Sequence, residues 1–262
     1  MSDFKGKRII VTGTASGIGA ATTDLLINSG AEVYSLDRRD PAVEVTRHIK
    51  VDLADESSID AAVAQLDGSF DGLLNVAGIP GTAPGDVVFA VNALAVRHLT
   101  ESLLDRLSGG TVVIVSSSAG FGWPDRLDAI KDVLATDTFE EGRRWFAEHT
   151  PEGNAYNFSK EVTTVYAMMM GIGLAAQGVR INAVLPGPVE TPILGDFEET
   201  MGKETLDGVK DLVGRHATPE DIAEVIAFLA SESAGWINGQ AIAVDGGVTG
   251  ALVTGLFPRP EI

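Results

Sequence analysis

Arg8-Ile-Ile-Val-Thr12, followed at once by Gly13-Thr-Ala-Ser-Gly17-Ile-Gly19 and a small-residue run from Ala20 to Asn28, is the stretch that decides the fold. The apolar, β-branched run reads as a buried strand and the later periodicity as a helix. Strand, glycine turn and helix in that order form the context a phosphate-cradling loop requires. Gly13 permits the tight turn, Gly17 lets a pyrophosphate approach the backbone, and Gly19 lets the helix pack closely on the strand. A glycine-rich turn that holds nothing is the competing reading, and the order of elements speaks against it.

Working outward, Ala31 to Leu36 reads as a second strand ending in Asp37. An acid about 20 positions beyond the glycine loop is placed to accept hydrogen bonds from adenosine ribose hydroxyls and to repel a 2′-phosphate, which favours NAD over NADP. Arg38 and Arg39 pull the other way if one pairs with that phosphate, or else belong to a solvated loop. His48 to Val51 is a third strand, and Asp52 beyond it either meets adenine or serves only the loop before the Asp55-capped helix that runs through Leu66. A fourth strand, Asp71 to Gly78, ends in small residues that leave room for a flat ligand. The long helical pattern Asp86 to Leu107 contains Asn92, a residue that helices disfavour. Thr111 to Val115, Val179 to Leu185 and Ala241 to Val244 complete the strands. The expected architecture is α/β: a doubly wound parallel seven-stranded sheet with helices on both faces, as a single domain over 1–262.

Composition narrows the function. A formal net charge of −18 argues against nucleic acid, whose phosphates need clustered Lys and Arg. Absence of cysteine excludes disulfides and thiol chemistry, and the four dispersed histidines suggest no metal. The apolar stretch Tyr166 to Ala176 is too short to span a bilayer, so the expectation is a cytoplasmic protein without a membrane partner. Three hydroxyls, Ser116 to Ser118, stand at the carboxyl end of the most strand-like run, where ligands meet open parallel sheets. One of them is expected to meet a substrate oxygen and the others to form the turn. Tyr156 and Lys160 lie four apart in a helical segment, hence on one face. A fixed cation beside a phenol favours the phenolate and makes an acid/base pair, although the same spacing also occurs on helices where nothing reacts. Thr191 to Arg215 is polar, glycine-bearing and poorly periodic, which suits a lid.

Seven features in order, namely the glycine loop, Asn75-Val-Ala-Gly78, Asn92, the serine strand end, Tyr156 with Lys160, Pro186-Gly-Pro and Asp245-Gly-Gly, give the chain its resemblance to the short-chain dehydrogenase/reductases of the Tyr-x-x-x-Lys branch. The resemblance implies Tyr156 as acid/base, Lys160 lowering its pKa and holding the nicotinamide ribose, Ser117 as the catalytic serine, and Asn92 holding a water in the proton relay. It implies cofactor contacts at Gly13, Ser16, Gly17, Ile18, Gly19, Asp37, Asp52, Leu53, Asn75, Ala77, Gly78, Pro186, Gly187, Val189 and Thr191, the last on the nicotinamide carboxamide. It also implies a homo-oligomer, dimer or tetramer.

One departure stands out: Ser117 and Tyr156 are farther apart than this family usually places them. The extra piece, about 121–153, has Leu127, Ile130 and Leu134 at helical spacing and a Thr138-x-x-Glu141 capping box, and reads as one or two added helices. It resembles the bacterial 3α-hydroxysteroid dehydrogenase/carbonyl reductase branch. Its Trp123, Phe139, Trp145 and Phe146 either wall an apolar pocket, cover a surface used for oligomerisation, or form a small core of their own. With the Leu252-to-Phe257 tail they suggest an apolar alicyclic secondary alcohol, a hydroxysteroid or terpenoid, as substrate. The alternatives are an NADPH-dependent carbonyl or β-ketoacyl reductase and, from another class, a non-catalytic dinucleotide-binding scaffold or sensor.

Overall fold

The apolar run Arg8–Thr12 forms β1, buried at the middle of a sheet whose other strands are Glu32–Asp37 (β2), Arg47–Lys50 (β3), Gly72–Asn75 (β4), Thr111–Val115 (β5), Arg180–Pro186 (β6) and Ala241–Val244 (β7). This is a computed structural model that describes residues 4–149, 151 and 153–256. All seven strands are parallel, in the order β3-β2-β1-β4-β5-β6-β7, as the alternating sequence pattern predicts. The order reverses between β1 and β4, so the carboxyl ends of these strands open a crevice there, where open α/β sheets bind ligands.

Helices cover both faces. α1 (Gly17–Asn28) and α10 (Pro219–Ala230) pack on one side, over a core that includes Ile9, Val11, Leu26, Leu74, Val113 and Ile226. On the other lie α2 (Glu56–Val63), α3 (Gly85–Phe89), α4 (Ala95–Leu103) and α7 (Ala155–Gly173), around Leu36, Leu73, Phe89, Leu99, Ile114 and Phe158. α2 is capped by Asp55, which accepts from Ser57 N at 3.1 Å, and it ends at Val63 rather than Leu66. Single i→i+3 turns at Gln65 and Leu66 replace the last helical turn and still deliver Leu66 to the core.

The helix expected from Asp86 to Leu107 is not uniform. Between α3 and α4 the chain makes one π turn, Ala90–Leu94, with Asn92 at its centre. The run Gly85–Arg106 is apolar and long enough to cross a membrane by length and composition. Its most apolar window is 67% buried in the fold, which marks a core helix, and it displaces Tyr166–Ala176 as the longest such stretch.

The extra piece folds into α5 (Leu127–Leu134) and α6 (Phe139–His149), with the capping box formed: Glu141 N donates to Thr138 Oγ1 at 3.1 Å, and Thr138 N to Glu141 Oε2 at 3.2 Å. Its aromatics join the main core and form no separate one among the described residues. Phe146 stacks on Phe89 (centroids 4.3 Å apart) and faces Phe158, Trp145 stacks on Phe158, Phe139 sits edge-on to His98, and Trp123 packs half-buried against the same core. The reason is position, because the two helices lie against α3 and α7, whose own aromatics offer better partners. The stretch expected as an irregular lid is two helices, α8 (Leu194–Met201) and α9 (Lys203–Val213). A last helix, α11 (Val248–Val253), follows β7, and Phe257 of the tail lies outside the described residues.

Removing a ring from this stack tests how firmly the extra helices are seated. Phe146→Ala should cost about 3–5 kcal/mol of unfolding free energy in urea.

Candidate active site

Five strand ends and the amino end of α7 converge on the crevice. Gly13 and Gly17 adopt positive φ (77° and 55°), which only glycine takes without strain. A Cβ on Gly13 would press on the Ala77 backbone, one on Gly19 would overlap the Gly13 carbonyl, and one on Gly17 would sit 3.1 Å from Thr191 Cγ2. The loop is therefore closed in by Ala77 on one side and Thr191 on the other. Ser16 stands at the N-cap position of α1 in extended conformation with its hydroxyl making no capping bond, and Ile18 packs against the α1-side core. Thr12, which the sequence reading passed over, anchors the arrangement: its buried Oγ1 accepts from both Val76 N (2.9 Å) and Ala77 N (3.0 Å). Thr14 extends the anchoring through a buried hydroxyl pair with Ser35 (2.6 Å), which in turn meets His48 Nδ1 (2.9 Å).

At the tip of β2, Asp37 accepts from Ala15 N (3.0 Å) and from Arg39 N (2.9 Å), one bond to each oxygen. A carboxylate has about four acceptor sites, so capacity remains for ligand hydroxyls. Both arginines are exposed, and Arg39 crosses back to the glycine loop and donates to Ser16 Oγ at 2.9 Å. Asp52 is engaged locally, accepting from Ala54 N at 3.0 Å, and Leu53 packs half-buried on the core. Asn75, at the buried end of β4, turns its amide inward to Thr100 Oγ1 at 3.1 Å, and the chain emerges beyond it at Ala77 and exposed Gly78. Gly78 keeps open a space bordered by Asn92 Oδ1 and Lys160 Nζ, each 3.4 Å from where a Cβ would stand. Across the crevice, Pro186 ends β6. Gly187 donates to Val244 O at 3.1 Å and passes close to Asp245, and buried Val189 accepts from Thr191 N at 2.8 Å.

These residues fit a dinucleotide, with a bare backbone loop at a helix start, a carboxylate at the second strand tip and small residues between. Asn92 resolves the cost of an amide inside a helix. The π turn aims it at Ile79, whose N–H it accepts and whose carbonyl it bonds, both at 2.9 Å. π turns of this kind often mark functional sites.

Tyr156 sits in the first turn of α7, its N–H capped by Asn154 Oδ1 at 2.8 Å. Lys160, one turn on, is buried and donates from Nζ to Val115 O at 2.9 Å, lying 5.6 Å from the Tyr156 ring centre. Ser117 caps the 3-10 segment that follows β5 and faces the phenol. Ser116 is no turn former. It is buried, donating to Lys160 O at 2.7 Å and pairing with Thr164 Oγ1 at 2.9 Å, so it bolts α7 to β5. Phe197 of α8 meets the Tyr156 ring edge-on, centroids 5.2 Å apart. No sequence signal marks Phe197, because its reach depends on how α8 folds over the site. Thr82 Oγ1 donating to Asp196 Oδ1 (2.8 Å) ties that helix to the loop after β4.

The titration pattern differs from the expected lowering of the tyrosine by Lys160. Burial pushes the Tyr156 phenol up to about 12, the Ser117 hydroxyl pulling partway back. Lys160 is drawn down to about 8 by burial. Its ammonium is spent on the Val115 carbonyl, and desolvation of the phenolate outweighs a cation at that range.

Chain-wide comparisons agree with this geometry. Residues 7–125 match the profile described as short chain dehydrogenase, and residues 146–249 the one described as enoyl-(acyl carrier protein) reductase. The chain is 39% identical to a coniferyl-alcohol dehydrogenase of Pseudomonas sp. (strain HR199 / DSM 7063), covering 94% of this chain and 98% of that one. It is 32% identical to the 3-alpha-hydroxysteroid dehydrogenase/carbonyl reductase of Comamonas testosteroni, over 93% and 97%. The crystal structure of 3-alpha-hydroxysteroid dehydrogenase from Pseudomonas sp. B-0831 complexed with NADH superposes with a TM-score of 0.83 at 34% identity, over 96% of this chain and all of that one.

The lysine's depressed pKa carries a stability signature. Between about 8 and the ordinary 10.5 the unfolded chain binds more protons at this site than the folded one, so this group makes stability rise with pH across that window. Without added dinucleotide, the stability difference between wild type and Lys160→Met should therefore shift in favour of wild type from pH 8 to pH 10, read by urea unfolding at each pH.

Proposed function

This chain belongs to the short-chain dehydrogenase/reductase family, a short-chain alcohol dehydrogenase with an NAD(P) site, and on that footing we propose that it is an NAD-dependent enzyme interconverting a ring-bearing apolar alcohol and its carbonyl. The observation that carries the reading is the Tyr156 phenol, placed between Ser117 and Lys160 at the end of β5, with the Phe197 ring above it.

In this reading Gly13, Ser16, Gly17, Ile18 and Gly19 hold the diphosphate and Asp37 the adenosine ribose, with Asp52 and Leu53 beside the adenine. Asn75, Ala77 and Gly78 line the middle of the cofactor. Lys160 holds the second ribose, and Pro186, Gly187, Val189 and Thr191 seat the nicotinamide. Bound there, the cofactor accepts or supplies the hydride. Tyr156 takes the hydroxyl proton in oxidation and returns it in reduction, while Ser117 holds the oxygen as its charge changes. Asn92 keeps the backbone beside Gly78 in place for a proton path behind Lys160. A phenol pushed up to about 12 is protonated at neutral pH, ready as an acid for carbonyl reduction. Oxidation needs the phenolate and gains from alkaline conditions.

NAD is favoured by the Asp37 carboxylate and by the glycine loop carrying Ser16 in place of a cation. Arg39 at Ser16 is the group through which NADP would be accepted instead. For the substrate, likeness to hydroxysteroid dehydrogenases supports an alicyclic secondary alcohol. The 39% likeness to a coniferyl-alcohol dehydrogenase favours a second reading, an aryl allylic primary alcohol lying against Phe197. We include self-association as a dimer or tetramer, supported by fully exposed Trp236 and by Ile172 and Met169, all exposed apolar side chains.

Fluorescence titration should give at least tenfold tighter NADH than NADPH, and an NADPH preference would reassign Arg39 as the reader. A panel of hydroxysteroids, cyclohexanols and cinnamyl-type alcohols assigns the substrate class. With the best substrate, oxidation should accelerate from pH 7 to pH 10. Tyr156→Phe should lower turnover by about 100-fold or more with NADH affinity nearly unchanged. Substantial activity in that variant would sink the mechanism.

A further inference from the structure

Glu161 directly follows Lys160, and its side chain is buried, 3% exposed. Oε1 accepts from Arg126 Nη2 at 2.6 Å, and Oε2 has no hydrogen-bond partner among the described residues. A half-satisfied buried carboxylate is costly, and apolar replacements of buried ion pairs are often neutral or stabilising. Burial already pushes Glu161 toward its neutral form, with Arg126 opposing and Asp125 adding to the shift. Fold stability therefore does not account for this residue, whereas its position does.

Ser118–Arg126 forms one 3-10 segment, with Ser117 as its cap and Arg126 as its last residue. The segment lies along α7, in close contact at two glycines and tied at its far end. Near its start, a Cβ on Gly120 would stand 2.6 Å from Thr164 Oγ1 and 2.9 Å from Lys160 O. Midway, a Cβ on Gly122 would stand 2.5 Å from Glu161 Oε1. At its end the Arg126 guanidinium lies over the Phe158 ring, 5.4 Å from the centroid, and grips Glu161. The glycines permit contact but do not fix the pitch of the segment. The ion pair ties the far end of the segment whose near end is capped by Ser117.

We propose that Glu161 is a positioning residue: through Arg126 it holds Ser118–Arg126 along α7 and so sets the Ser117 hydroxyl against the Tyr156 phenol. The proposal rests on the reading of Ser117 and Tyr156 as the groups that handle the oxygen and its proton. It separates Glu161 from the machinery proper, since the carboxylate touches neither crevice nor phenol. It also gives the extra helices a part in the chemistry, because α5 and α6 continue from the segment that Arg126 ends.

The experiment uses the full chain and the alcohol from the panel that wild type oxidises fastest. Glu161→Gln keeps the shape and removes the charge. Expected is a fall in kcat of about tenfold or more, with KM for NAD within about twofold. The rising limb of the kcat–pH profile should move to higher pH by about half a unit or more, because the phenol loses help from Ser117. Arg126→Lys keeps the charge but not the guanidinium geometry, and should give an intermediate kcat and a smaller move of the profile. It serves as the deciding variant if Glu161→Gln does not fold by circular dichroism. A lowered Tm with wild-type kcat and pH profile in the folded variant would show a structural pair only and overturn the proposal. Tyr156→Phe run in parallel separates the two readings. If it stays active, the site reading falls and this proposal with it. If it is inactive while Glu161→Gln behaves as wild type, this proposal alone falls.

Discussion

The bolt between the end of β5 and helix α7 is the constraint on which the site depends. Lys160 Nζ bonds the Val115 carbonyl, and the Ser116 hydroxyl bonds the Lys160 carbonyl and Thr164. Strand and helix are thereby joined across 44 and 45 residues of sequence by buried polar contacts in a low-dielectric setting, where such bonds are strong and their geometry exacting. The bolt brings the end of β5, which leads into Ser117, beside the first turn of α7, which carries Tyr156. The same lysine that serves the crevice is thus also structural, and part of its charge is committed before any ligand arrives.

The cofactor side is governed by bare backbone. Gly13, Gly17 and Gly19 let β1, α1, Ala77 and Thr191 approach more closely than any side chain would allow. Thr12 then locks the approach by accepting from two successive half-buried amides. Hydroxyls perform much of this tying, through Thr12, Thr14 with Ser35, and Ser116 with Thr164. They do so without adding charge to a crevice that must receive an anionic ligand.

Burial sets the electrostatics of Tyr156 and Lys160 more than proximity does. Four residues on a helix bring Tyr156 and Lys160 to one face, but desolvation moves their pKa values apart, the phenol up and the ammonium down. Each group is held closer to its neutral form than in water. Phe197 contributes to this dryness from above, and the aromatic stack of Phe89, Phe146 and Phe158 supports α7 from behind. The extra helices and the helix that carries Tyr156 and Lys160 share that support.

From the sequence alone came the seven parallel strands, the glycine loop, the capping box at Thr138 and the pairing of Tyr156 with Lys160. These follow from local rules: period-2 or period-3.6 burial, positive φ at glycine, and side chains four apart on a helix. What the tertiary structure alone decided depends on residues far apart in the chain. Asn92 is tolerated because a π turn aims it at Ile79. Ser116 fastens a helix instead of forming a turn. The aromatics of the extra piece join the main core because α3 and α7 present rings to them. Phe197 reaches Tyr156 because residues read as an irregular lid are two helices, α8 closing over the crevice. Sequence patterns record which face of an element is apolar, but they carry no record of which other element will cover it, and burial by that partner is what sets the packing, the pKa values and the reach of each side chain at this site.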